Sequence, residues 1–554
     1  MALNRKPKAA KPADCSVVSH PAPIGGVNAR DGLANMPETD AVELVNWIPD
    51  SGGVRCRKGF REWATNLPSE VQSVMAYFSP ATTYPAGTFL TSPTTMPGKL
   101  FAATKEGIYD ITTSTDAPAA SKLLAGSAYS GWFSSTMLTN TAGSFLLACS
   151  EDDGYLTYDG STWLSVTMGA GATQIAGVDP STFVHVLNWK RRAWFVQKNS
   201  TKAWYLPVDQ LYGTAVAFDF GPLFKNGGHL SYLANWSIDA GEGIDDFLVA
   251  VSSNGDVAVY KGTDPSSGST FGLVGMWTVG QIPVGRRAYA QYGGDLVLTS
   301  ADGVFPISFV TRGGAQLLVA SSSEYSSYIR AKLGPQIRKS FTYRGWDMFL
   351  HPSERLLLIN IPDETQKGSQ WAMNTTLNRW CRLQDIPVTC FGATGGYSFS
   401  GTADGRVLLL FSSFYDNVPY GESEGDPIYG IVQPAFSSFG TPAMSKLLTM
   451  LQLHFVGAAE PGVAVSVATD YGGVSFYTYP RVSVDGSSLW GTGRFDSAIW
   501  SAEGGRAFSG WIGVGAEGAA LSPVVQTACV GDVILSSIDY QFRVLNQFGQ
   551  RSQG

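Results

Sequence analysis

At 554 residues the chain is too long for one ordinary compact core, and a composition 44% hydrophobic and 12% aromatic supplies enough apolar surface for several. Only 15% of residues are charged and 63 are glycine, which points to many short strands joined by glycine turns and hence to an all-β fold. The formal net charge of −7 argues against a surface built to grip nucleic acid through its phosphates.

Residues 1–20 carry Arg5, Lys6, Lys8 and Lys11 with no apolar stretch behind them, so they read as a flexible basic arm and not as a secretory signal. No run of about 18 apolar residues occurs, so no membrane span is expected. Cys15, Cys56, Cys149, Cys381, Cys390 and Cys529 are widely scattered, the pattern of buried free thiols in a protein made in a reducing cytoplasm. Residues 21–70 form a clasp or platform segment. Within it Gly25, Gly26 and Gly32 permit backbone angles that other residues resist, and Pro37 and Pro49 fix φ on either side of an apolar run.

From residue 71 an apolar strand, a turn containing glycine, and a second apolar strand recur. The turn glycines are Gly107, Gly154, Gly255, Gly303 and Gly405, preceded by Glu106, Asp153, Asn254, Asp302 and Asp404, and such pairs between apolar runs are strong hairpin signals. Their spacings are 47, 101, 48 and 102 residues. The long gaps are double the short ones, so each hides a degenerate copy: Arg192–Val196 with Ala203–Leu206, and Leu356–Asn360 with Trp371–Asn374. A period of about 50 residues predicts a β-propeller of six to seven blades over 71–430. Trp163 and Trp380 are placed to cover inter-blade cores. Tyr325, Tyr328, Ile329 and Leu333, followed by Pro335, predict a short helical insertion near 322–340. An acidic loop at about 412–430 then leads to a smaller C-terminal β-domain at 431–554. Its expected strands lie near 436–440, 463–467, 474–479, 511–514 and 538–544.

Catalytic signatures fail on context. Gly421-Glu422-Ser423-Glu424-Gly425 lacks the strand and helix of a nucleophile elbow, and Gly513–Gly518 lacks a βαβ setting, which leaves a glycine-rich turn. The five histidines are dispersed, so no metal or other cofactor is expected. Asp152/Asp153 and Asp245/Asp246 read as solvated turn residues. Lys190, Arg191 and Arg192, between Trp189 and Trp194, form the best basic-aromatic patch, suited to a partner or a DNA backbone or else to capping a strand end.

Pro23-Ile24-Gly25-Gly26-Val27-Asn28-Ala29-Arg30-Asp31, Met36-Pro37, Asn46-Trp47-Ile48-Pro49 and Arg57-Lys58-Gly59 together resemble the N-terminal segment of the tail nozzle proteins of short-tailed bacteriophages. So do Leu358–Pro362 with Met373-Asn374-Thr375 and Trp380, and Phe436–Pro442 with Lys446. The resemblance implies a non-enzymatic virion tail protein, made in the host cytoplasm. It further implies a homo-hexamer below the adaptor that joins head to tail, a channel passing double-stranded DNA without sequence preference, and attachment to tail fibres. An acid excess of −6 over residues 71–430 suits such passage, since neutralised phosphates add drag. If the clasp supplies a head-to-tail interface, Arg30, Asp31, Trp47, Arg57 and Lys58 are its candidate contacts. The alternatives are a propeller-based polysaccharide depolymerase and a tail module that binds a receptor on the host cell surface.

Overall fold

The seven hairpins expected from the 50-residue spacing all form. In the computed structural model, which describes residues 15–80, 94–239, 244–313, 327–351, 353–363, 369–473 and 506–545, Ser150 pairs with Gly154 and Ser300 with Gly303 across such turns. Gly154, Gly255 and Gly405 have φ of +65°, +89° and +79°, the left-handed region that a Cβ disfavours. At Gly255 a Cβ would also lie 2.1 Å from the Val279 carbonyl oxygen.

The chain divides into two compact units, one made of Lys58–Asn378 with Arg382–Asp426, the other of Met1–Arg57, Arg379–Cys381 and Pro427–Gly554. In the first unit six small sheets stand in a ring as blades of a β-propeller. Their first strands are Ser73–Tyr77, Ser134–Asn140, Phe183–Trp189, Leu230–Asp239, Tyr289–Tyr292 and Cys390–Thr394. A seventh meander, Asp347–His351, Leu356–Ile361 and Ser369–Asn374, belongs to a larger sheet and lies between the last two of these blades. Aromatic rings fill the spaces between blades. Phe101 packs edge-on against Tyr158 (4.9 Å between centroids) and Trp163 (5.2 Å), and Trp194 stacks with Phe271 at 6.2 Å.

The ring is closed by a strand from its opposite end. Gly59–Ala64 pairs antiparallel with Val407–Ser413 as the outer strand of the last blade, which moves the start of the propeller from residue 71 to residue 58. Trp63 fixes the closure. It is 1% exposed, its indole N–H donates to the Ile111 carbonyl at 2.7 Å, and its ring meets Phe399 edge-on at 5.3 Å. The helical insertion is the helix Arg330–Ser340, which runs through Pro335 and does not stop before it. Tyr325 lies outside the described residues.

In the second unit the clasp and the C-terminal strands share one fold. One sheet joins Trp47–Asp50, Gly53–Cys56, Val533–Val544 and Lys446–Gly457, with Ser16–Pro21 also on Val533–Val544 and Trp511–Gly518 also on Lys446–Gly457. Residues 16–20, expected in a flexible arm, are therefore a paired strand; residues 1–14 lie outside the described residues. The other sheet contains Ala41–Val45, Ile428–Pro434, Leu521–Cys529 and Gly462–Thr469. Asn46, at φ +59°, turns the chain from the second sheet into the first, a conformation asparagine tolerates better than most residues. Gly513–Gly518, expected as a turn, lies within the strand Trp511–Gly518, with φ +63° at Gly515. The expected strand at 436–440 is instead a turn holding one bridge from Ser437 to Leu521, and the one at 474–479 lies outside the described residues.

Candidate functional site

The clasp is organised on buried Asp40. Asn28 donates through Nδ2 to Asp40 Oδ2 at 2.7 Å and to Asp31 Oδ2 at 2.9 Å, while its Oδ1 accepts from the backbone N–H groups of Arg30 (3.0 Å) and Asp31 (3.1 Å). Burial raises the Asp40 pKa against the Asn28 hydrogen bond. The chain approaches this carboxylate so closely that a Cβ on Gly25 would sit 1.9 Å from Asp40 Oδ1. Arg30 forks onto Asp31 through Nε (2.9 Å) and Nη2 (3.1 Å), and this hydrogen bonding holds the Asp31 pKa below its ordinary value.

Of the five residues expected at an assembly surface, two are internal. Trp47 is fully buried, its indole N–H donating to Thr527 Oγ1 at 3.0 Å across the two sheets. Arg57 is 1% exposed and donates through Nε to Asn46 Oδ1 at 2.9 Å. Both act through the fold of the chain itself, because both side chains are buried within it. Arg30 is exposed, and Asp31 and Lys58 are half-buried, Lys58 pairing with Glu354 at 2.8 Å.

The basic-aromatic patch is also rearranged. Lys190 pairs with Asp246 at 2.9 Å, Arg191 with Asp209, and Arg192 with Asp264 at 3.6 Å. Trp189 and Trp194 are buried in an inter-blade core, so no ring is presented for base stacking. Lys190 and Arg191, at φ +50° and +59°, are the two central residues of the hairpin turn closed by Trp189 and Arg192. The strand-end reading describes them best. Trp380, expected over an inter-blade core, lies in the second unit, where its carbonyl accepts the Val27 N–H at 2.8 Å. Five of the six cysteines are buried free thiols and Cys15 is exposed.

A polar cluster lies where segments leading into several first strands of the propeller converge. Glu70 and Gln72 precede Ser73–Tyr77, Tyr129 and Trp132 precede Ser134–Asn140, Arg286 and Arg287 precede Tyr289–Tyr292, and Arg344 precedes Asp347–His351. Together they line two adjoining depressions, the larger a cavity of about 370 Å³. Glu151 is the electrostatic centre: Arg344 Nη2 approaches it at 2.7 Å and Arg286 Nη2 at 3.5 Å. Burial alone would raise the Glu151 pKa, but the two guanidinium groups outweigh it and hold the carboxyl below its ordinary value. Burial pulls Arg286 down to about 10, with Glu151 opposing and Arg344 assisting. Arg344 lies 4.0 Å over the Tyr129 ring and Arg287 5.0 Å over Trp132. Arg287 also donates to the Gln72 carbonyl at 3.0 Å and stands 3.7 Å from Asp347, whose pKa burial pushes up to about 6.

The loop bearing Tyr129 is held by carboxylates expected to be merely solvated. Asp153 Oδ1 accepts the Ala125 N–H at 3.0 Å, and Asp152 Oδ2 accepts that of Tyr129 at 3.1 Å. Of the cavity residues, sequence singled out only Asn360 and Pro362, within Leu358–Pro362, and assigned them no site. The available signal was position, since Glu70, Gln72, Tyr129, Trp132, Arg286, Arg287 and Arg344 each lie a few residues ahead of the first strand of a meander, whereas Glu151 follows the strand Gly143–Ser150.

No family model and no curated protein matches the chain. Solved structures were matched at low identity and low TM-score. They include a computationally designed Ika8 protein (12% identity, TM-score 0.32, 63% of this chain and 99% of that one). Raptor from Chaetomium thermophilum (9%, 0.35, 64% and 29%) and an ancestral GH74 enzyme (9%, 0.35, 66% and 50%) are two others. Among the described residues no helix is long and apolar enough to cross a membrane, and no three His, Cys, Asp or Glu side chains converge as a metal site.

Proposed function

We propose that the chain is a structural subunit of a short phage tail, the homo-hexameric nozzle below the adaptor, without enzymatic activity. The observation that carries this reading is the placement of the sequence pieces that resemble nozzle proteins. Of these pieces Pro23–Arg57, Trp380 and Phe436–Lys446 come from the beginning, middle and end of the chain and belong to one compact unit, while Lys58-Gly59, Leu358–Pro362 and Met373–Thr375 belong to the propeller unit. Val27 is bonded to Trp380, and Ser437 Oγ donates to Glu38 Oε1 at 3.2 Å. Pieces remote in sequence thus bond to one another around the clasp, and a self-bonded clasp suits a segment that must keep its shape while neighbours dock on it.

The test is light scattering after size-exclusion chromatography of the full chain, with and without the adaptor ring of the same phage. The expected result is a six-fold mass on the adaptor, lost in an Arg30→Glu variant whose circular dichroism is unchanged. A protein that stays monomeric in the presence of the adaptor would sink the reading.

A further inference from the structure

The cavity beside Glu151 has unused hydrogen-bonding capacity of a particular kind. Glu70 is half-buried, yet its carboxylate accepts a single long hydrogen bond among the described residues, from Gln72 Nε2 at 3.5 Å. Arg344 has five N–H donors and spends one on Glu151. The Tyr129 ring lines the same cavity, one face covered by Arg344 at 4.0 Å and 42% of the residue exposed, with Trp132 also in the lining. A carboxylate and a guanidinium with spare capacity, set around an amphipathic ring, match a ligand that alternates hydroxyls with C–H surface.

Charge narrows the class. Arg286, Arg287 and Arg344 are met by Glu70, Glu151, Asp347 and Asp363, so the cluster carries no excess of positive charge. A phosphate or sulfate would meet guanidinium groups already neutralised and a carboxylate that repels it. A purely apolar ligand would strand Glu70 and Arg344 without water, at the cost of leaving polar groups unpaired. The volume, about 370 Å³, lies within the roughly 300–1,000 Å³ of small-ligand sites.

We propose that this cavity binds a neutral sugar residue, with the Tyr129 ring stacking on its C–H face and Glu70 and Arg344 hydrogen-bonding its hydroxyls. The site is preassembled: Asp152 and Asp153 anchor the Tyr129 loop, and Gln72 Oε1 accepts the Gly131 N–H at 3.0 Å. It holds a ligand and performs no chemistry on it. The proposal stands independently of the nozzle reading, since it rests on the propeller unit alone.

Saturation-transfer NMR on the full chain tests it, using neutral hexoses, N-acetylhexosamines and their di- and trisaccharides, with calorimetry for any that respond. The expected dissociation constant is about 1 mM. Glu70→Gln and Tyr129→Ala should each weaken binding about tenfold with an unchanged circular dichroism spectrum, because Glu70 makes one weak contact and Tyr129 is largely exposed. Arg191→Ala, on a distant hairpin turn of the same unit, should bind as the parent does. Response to monosaccharides alone assigns the site to a free sugar, and response to oligomers assigns it to a unit of a glycan. No transfer from any neutral sugar, binding confined to anionic sugars, or binding untouched by both variants overturns the proposal.

Discussion

Replacing Asp347 by Asn exposes how much one buried carboxyl costs the propeller. Asp347 is 6% exposed; its Oδ2 accepts the Phe391 N–H at 3.0 Å and stands 3.7 Å from Arg287 Nε. Burial carries its pKa from an ordinary 3.8 up to about 6, Arg287 and backbone N–H groups opposing. The folded state thus keeps a proton that the unfolded chain has released. A raised folded pKa means the group's contribution is complete below the unfolded value and is lost as pH rises through the folded one. A displacement of about two pKa units corresponds to roughly 3 kcal/mol. Glu151 works with the opposite sign: its depressed pKa stabilises the fold at neutral pH, and that stability is lost as pH falls, so the wild-type profile alone mixes the two. The difference between wild type and Asp347→Asn isolates one of them. In urea titrations followed by tryptophan fluorescence, that difference should fall by about 3 kcal/mol in wild-type stability between about pH 4 and about pH 7. A constant difference, or one that grows with pH, would refute the reasoning. It would mean that the Arg287 ion pair outweighs desolvation.

Further outcomes follow from single contacts. Trp63→Ala should destabilise the propeller by about 3–5 kcal/mol and expose the Gly59–Ala64 strand to proteolysis, because the indole is buried and bonded at the ring closure; unchanged protease resistance would show that the closure holds without it. Gly430→Ala should cost about 1–3 kcal/mol, since the added Cβ would lie 2.5 Å from Trp47 Nε1, and the Trp47 emission should shift if the ring is displaced. Arg191→Gly should raise the melting temperature: relief of a left-handed backbone is worth about 1–2 kcal/mol, against about 0–1 kcal/mol for the exposed pair with Asp209.

Local chemistry made the propeller legible. An acidic residue or Asn before glycine is a strong turn signal between apolar runs, and five such marks at multiples of one spacing exposed even the copies without glycine. The turn between Gln197 and Lys202 shows why those copies were harder to see: its left-handed residue is Asn199, at φ +52°, with serine and not glycine after it. The strand Lys446–Gly457 escaped for a related reason. Its pairings shift register between Leu448 and Met450, which breaks the alternation that would have marked it. The closing strand was assigned to the clasp because nothing within Gly59–Ala64 records that its partner lies some 345 residues away.

The candidate sites were less legible, and the clasp shows the physical reason. Arginine and tryptophan beside a glycine- and proline-rich segment look like contact residues because both are common at interfaces. Whether they reach a surface depends on partners remote in sequence. Trp47 is internal because residue 430, opposite Thr527 in the neighbouring strand, is a glycine and leaves room for an indole. Arg57 is internal because Asn46 turns the chain at positive φ and presents its Oδ1 to the guanidinium, while its own Nδ2 donates to the Tyr429 carbonyl at 2.7 Å. The cavity beside Glu151 inverts the same relation: Glu70, Tyr129 and Arg344 sit in unremarkable loops, and only the closing of the ring brings them to one place. A residue's type says what it can bond. The register of distant strands decides whether that capacity is spent inside the fold or left open to a ligand.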